Sequence, residues 1–129
     1  MTLYCHLQVK AMNNIDFTFG WKEELSHEIP NLLILEADNH SDAFLIQESS
    51  KLIGESTILI CLLDVEEGSS PGSISRILEA LRKSEAQKLL ILKGRNESIE
   101  KSLKFLKTPW ITFQNAQELL FEIQQFIRD

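Results

Sequence analysis

The run Thr57-Ile-Leu-Ile-Cys-Leu-Leu63 restricts this chain more than any other stretch. Seven nearly continuous apolar or β-branched residues are too few for a typical helix and leave no polar side for water, so they read as a strand buried on both faces. A loop from Asp64 to Gly72 follows, ending in Ser-Ser-Pro-Gly. Ile74, Ile77, Leu78 and Leu81 then recur at helical spacing, while Ser75, Arg76, Glu79 and Arg82 fall on the other side. Strand, loop and a helix that packs back on the strand form the repeating unit of a parallel sheet with crossover helices.

The same event recurs along the chain. Leu3, Cys5, Leu7 and Val9 alternate with Tyr4, His6 and Gln8, the pattern of a strand. After a loop at Lys10 to Asp16, the aromatic residues Phe17, Phe19 and Trp21 lead into a helix with Trp21, Leu25 and Ile29 on one side, which Pro30 ends. Leu32 to Leu35 is a second strand, closing in the polar stretch Glu36 to Asp42, where Ser41 or Asp42 can cap a helix carrying Phe44, Leu45, Ile46, Leu52 and Ile53, with Gly54 as its stop. Lys88 to Lys93 is a further buried strand. Asn96 or Ser98 caps the helix of Ile99, Leu103 and Leu106; Trp110 to Phe113 is a short strand; and Asn115 caps a last helix with Leu119, Leu120, Ile123, Phe126 and Ile127.

Five strands alternating with five helices predict one α/β domain over residues 1–129, with three layers around a mainly parallel sheet. The commonest order for five such units is the flavodoxin-like 2-1-3-4-5. The polar side of the first strand pulls the other way, since Tyr4, His6 and Gln8 suit an edge better than a centre.

Composition sets the function classes. A formal charge of −6 argues against broad binding to nucleic acid or to an anionic membrane, both of which need a concentrated basic face. No apolar run approaches the roughly 18 to 20 residues of a membrane span, and the alternating first residues do not form a secretory leader, so a cytoplasmic location is expected. In that compartment Cys5 and Cys61 are small core residues rather than a disulfide. The two tryptophans and seven phenylalanines read as core as well, except that Phe121 falls opposite Leu119 and Ile123 and opens the possibility of a homodimer or partner surface on the last helix.

In open parallel sheets ligands bind at the carboxyl ends of the strands where the order reverses. That crevice is expected between the loops after strands 1 and 3. Lys10, Asn13 and Asn14 stand on one side of it, and Asp64, Glu66, Glu67, Ser69, Ser70, Gly72 and Ser73 on the other. Ser70-Pro-Gly-Ser73 either offers free amides and hydroxyls to a small polar ligand or merely caps and turns the chain, with Ser70 or Ser73 as cap. The nearby acids favour a neutral, hydroxyl-bearing ligand over a phosphate.

Leu62-Leu63-Asp64, the loop, and Pro71-Gly72-Ser73-Ile74 opening a helix resemble the matching segment of the nucleoside 2-deoxyribosyltransferase superfamily, whose fold is related to Toll/interleukin-receptor-like domains; the likeness spans Gln47 to Lys93. The resemblance implies an α/β fold, a pocket beside Asp64, and a sugar nucleophile four residues after the glycine. Arg76 holds that place here, and a guanidinium stays protonated with no lone pair to offer, so the pocket would be vestigial.

Other motifs are sparse. His6, His27 and His40 show no metal-site spacing, and His40 with Glu36, Asp38 and Asp42 reads as a solvated loop. Asp64 and Glu36-Ala-Asp38 invite comparison with a phosphoreceiver domain, but one helix separates Asp38 from Asp64 where that arrangement needs a strand and two helices. Phosphate-loop, dinucleotide and nucleophile-elbow fingerprints do not occur. No metal or cofactor is called for. The expectation is a non-catalytic interaction or regulatory module, with a nucleoside-processing N-glycosidase or transferase using Asp64, Glu66 or Glu67 as the rival.

Overall fold

The computed structural model describes residues 1–16, 22–106 and 108–128, so the expected contributions of Phe17, Phe19 and Trp21 lie outside the described residues. Five strands, β1 (Thr2–Val9), β2 (Leu32–Asp38), β3 (Ile58–Val65), β4 (Gln87–Lys93) and β5 (Trp110–Ile111), form one sheet in the order β2-β1-β3-β4-β5. Every pairing is parallel. The helices between and after them are α1 (Lys22–Glu28), α2 (Ala43–Glu55), α3 (Ile74–Lys83), α4 (Glu97–Phe105) and α5 (Ala116–Arg128). The flavodoxin-like order is therefore the observed one, with β1 and β3 at its centre.

Alternation along the strands sorts the core into two layers. Leu3, Cys5 and Leu7 with Leu59, Cys61 and Leu63 pack under α2, α3 and α4. On the opposite face Tyr4, Ile60, Leu62 and Ile91 pack under Leu25 of α1, Ile29 just after it, and Leu119 and Ile123 of α5. Each leucine or isoleucine removed from water in this way contributes about 1.5–3 kcal/mol, which is why the continuous run of β3 can exist only with helices on both sides.

The polar face of β1 is explained without an edge. Tyr4, His6 and Gln8 are all buried. Gln8 spans the strand and its own following loop, donating Nε2 to the Asp16 carbonyl at 2.7 Å and accepting from the Asp16 amide at 2.9 Å. A polar side chain in a central strand is thus tolerated because the loop it leads into satisfies it.

Several local expectations need correction. Asp42 caps α2, accepting from the Leu45 amide at 2.9 Å, but Gly54 does not stop that helix, which runs on to Glu55 with open space at the glycine. Ser73 caps nothing; its hydroxyl donates to the Ser41 carbonyl at 2.6 Å. β2 extends to Asp38 because β1 supplies a register partner as far as Gln8, whereas β5 keeps only two residues. The phenylalanines are not uniformly core: Phe44, Phe105 and Phe121 are 72%, 76% and 56% exposed. No helix among the described residues is long and apolar enough to cross a membrane.

Candidate functional site: a closed rim around Asp64

The register places Gln8, Asp64 and Lys93 side by side at the carboxyl ends of β1, β3 and β4. Side chains two residues apart share a face, so His6, Gln8 and Asp64 all point to the α1/α5 side, with Lys10 entering from just beyond β1. Asp64 is 7% exposed. Its Oδ2 lies 2.9 Å from Lys10 Nζ, 3.6 Å from His6 Nε2 and 4.0 Å from Lys93 Nζ.

Burial alone pushes the Asp64 carboxyl up, but hydrogen bonds from His6 and Lys10 and the charges of Lys10 and Lys93 outweigh it and hold the group below the usual carboxylate range. A carboxylate so depressed adds stability that is complete above its unfolded value of about 3.9 and is lost as pH falls through the lower, folded value. The urea midpoint of the wild type is therefore expected to drop more steeply below about pH 4 than that of Asp64→Asn, which starts lower at neutral pH. Parallel acid limbs for the two proteins would show that these cations do not hold Asp64.

Glu66, two residues on, closes the crevice expected between the loops after β1 and β3. Its Oε1 accepts from the Ala11 amide at 2.6 Å and the Ser69 hydroxyl at 3.2 Å, and its Oε2 accepts from Asn14 Nδ2 at 3.0 Å. The Ala11 amide is the main reason its carboxyl also sits low. Asn14 is thus a loop clasp, while Asn13 is exposed in a short 3-10 turn over Met12–Asn14.

Two asparagines do the corresponding work elsewhere on the rim. Asn39, after β2, accepts from the Lys10 amide at 3.1 Å and donates to the Ser70 carbonyl at 3.0 Å, and its own carbonyl oxygen occupies the place a Cβ on Gly72 would take, at a φ of 50°. Asn96, 2% exposed, caps α4 through the Ile99 amide at 3.1 Å and donates Nδ2 to the carbonyls of Glu66 at 3.0 Å and Ser69 at 2.8 Å. His40, exposed, bonds the Lys10 carbonyl at 2.9 Å. Asp38 accepts from the His40 amide, and Asp42 is committed to its cap, so that cluster is loop structure.

The structure therefore brings Lys10, Asn14, Asp64 and Glu66 together and spends Gly72 and Ser73 on backbone packing, while Ser70 gives its carbonyl to Asn39 and lines, with Ser69, a groove of about 430 Å³ toward Asn96 to Ser98. Only Glu67 among the candidate acids faces open space, in a groove of about 560 Å³ between the loop after β3 and Asn96 to Lys104 of the next unit. The remaining room at the rim thus lies one loop further along than the sequence suggests. Sequence reading missed His6, Gln8, Asn39 and Lys93 as members of this arrangement. The available signal was parity: once β1 and β3 pair in register, the polar residues of β1 must share a face with Asp64. No protein-family model, no curated protein and no solved structure matches this chain.

Proposed function

We propose that this protein is a cytoplasmic regulatory or interaction module without catalysis of its own, an α/β domain that keeps the outline of a small-ligand pocket at its carboxyl rim. One observation carries the reading: the acids brought to the switch point are already engaged within the protein, Asp64 by Lys10 and Glu66 by the Ala11, Asn14 and Ser69 donors. A general acid for glycosidic cleavage needs a carboxyl whose proton affinity is raised toward neutrality, and Asp64 is held the other way. The place of the sugar nucleophile in the deoxyribosyltransferase-like comparison holds Arg76, exposed on α3.

The strand order is one that phosphoreceiver domains share, and it seats Asp64 beside β1 rather than beside Asp38. There it meets Lys10 and His6, and no group of carboxylates able to bring a divalent cation with a phosphoryl group occurs among the described residues. Such a module acts by contact. Its recognition surfaces are the groove beside Glu67, suited to a small polar ligand, and the exposed Phe121 of α5, suited to a protein or a second copy.

Incubating the purified protein with nucleosides and nicotinamide dinucleotides is expected to release no base, with Asp64→Asn indistinguishable from wild type. Base release that disappears in Asp64→Asn would defeat the non-catalytic reading and establish the glycosidase alternative.

A further inference from the structure

The chain has two cysteines, and the sheet sets them side by side. Cys5 of β1 and Cys61 of β3 are register partners on the two central strands. Both belong to the core layer under α2, α3 and α4, so their side chains leave the sheet on the same face. Neighbouring strands run about 4.7–4.9 Å apart, inside the Cα separation of about 4.4–6.8 Å that a disulfide spans. Two residues far apart in sequence are thus held where a bond between their sulfurs needs no rearrangement of the strands.

Both are free thiols with no exposed surface. The neighbouring Cys61 thiol, and then burial, push the Cys5 thiol well above its ordinary value. The charged groups nearest in the sheet do not counter this, because His6 and Asp64 alternate onto the opposite face and Lys10 meets Asp64 there. The thiolate is the nucleophile, so a pair kept neutral and covered is inert while the domain stays closed. Its chemistry begins when the helices over this face open.

We propose that Cys5 and Cys61 form a reversible disulfide between β1 and β3 when the domain opens in the presence of a disulfide oxidant such as glutathione disulfide. In the open state one cysteine, as thiolate, attacks the oxidant. The bond between the two oxidant sulfurs breaks, a mixed disulfide forms, and one glutathione leaves as its thiol. Strand pairing then brings the second cysteine back to its register partner. The leucines and isoleucines packed around the pair leave no room for a tripeptide, which favours the next displacement. The second sulfur attacks the first, and the second glutathione leaves. Two protons and two electrons have passed to the oxidant, with one sulfur-sulfur bond broken and one formed in the protein. The cross-link fastens the strands that bring Lys10 to Asp64 and the Ala11 amide to Glu66, so the oxidised rim is held harder than the reduced one.

The test incubates the reduced protein with glutathione disulfide in native buffer, quenches it with an alkylating agent in denaturant, and weighs the intact chain. Both thiols should disappear together, with a loss of two hydrogens and no bound glutathione, and faster in urea just below the unfolding transition. The oxidised protein should unfold at a urea midpoint higher by roughly 1 M or more, and dithiothreitol should restore the original midpoint. Cys5→Ala and Cys61→Ala, whose remaining sulfur has no partner, should stop at the glutathione adduct in urea. Four results overturn the proposal: thiols that persist in native buffer, adducts on wild type that do not resolve, disulfides between molecules instead of within one, or a midpoint that does not rise. Cross-linking seen only on refolding from full denaturation overturns it too, since the folded protein would then have no response to the oxidant.

Discussion

Gly94→Ala is expected to cost roughly 3 kcal/mol of stability, more than any surface change in this protein. Gly94 follows β4 with φ of 91°, a conformation that strains any residue with a Cβ by about 1–2 kcal/mol. The added carbon would also run into the carbonyl oxygen of Val65 at the end of β3. That oxygen is main chain and cannot swing aside as a side chain could, so β3 and β4 must part locally, an overpacking cost of about 1–3 kcal/mol. Urea unfolding at neutral pH should show the midpoint falling with an unchanged slope. A midpoint within error of wild type would mean that the two strand ends are not as close as the structure has them. The functional meaning is positional: this approach sets the distance between the loop that carries Asp64 and Glu66 and the loop that carries Asn96.

Asn96→Ala is expected to lose about 2–3 kcal/mol, combining a helix cap worth about 1 kcal/mol with two half-buried carbonyls that lose the Asn96 amide as donor. The Ser69 carbonyl takes its bond from this amide group and the Glu66 carbonyl shares it with the Ser69 amide, so the loss is not confined to α4. Asn96→Asp separates the two roles. It retains an acceptor for the Ile99 amide but replaces the donor with a carboxylate facing two carbonyl oxygens, and it should be no better than alanine despite being a good cap. Hydrogen exchange should rise at Glu66 to Ser70 in both variants, while Ser98→Ala, a control at an exposed position of the same turn, should leave it unchanged. If Asn96→Ala stays within about 0.5 kcal/mol of wild type, the rim is not held together by this residue.

Both effects fall on the same few ångströms of the molecule, where the loops after β1, β3 and β4 converge. That convergence separates a rim built to hold itself from one built to hold a reacting substrate. In the latter the acids would be left partly unsatisfied, ready for an incoming group. Here Asp64 meets Lys10 at 2.9 Å, and Glu66 has a protein donor on each oxygen.

How much of this could be read in advance differs by level. The architecture was legible because burial on two faces leaves a mark on every residue of a strand, and Ile58 to Val65 has almost no polar residue before its end. The caps at Asp42, Asn96 and Asn115 were legible for a similar reason, since the side chain acts within three residues of its own position. Ser73 looked like another cap because composition cannot tell a hydroxyl that turns to its own helix from one that reaches the Ser41 carbonyl. The exposure of Phe44 and Phe105 escaped because hydrophobicity says what a side chain prefers, not whether a neighbouring helix is there to cover it.

Sequence by itself thus determined the alternation of strands and helices, the parallel sheet they build, and the presence of acids at the end of its central strand, because each follows from periodicity or from contacts a few residues apart. Only the tertiary structure decided what those acids do. Lys10 lies 54 residues from Asp64 and Asn96 lies 30 from Glu66, and pairings at such separations exist only once the register of β1, β3 and β4 has fixed which loop ends meet. The physical reason is range: hydrophobic patterning acts along the chain, whereas charge compensation and hydrogen bonding act over a few ångströms of space.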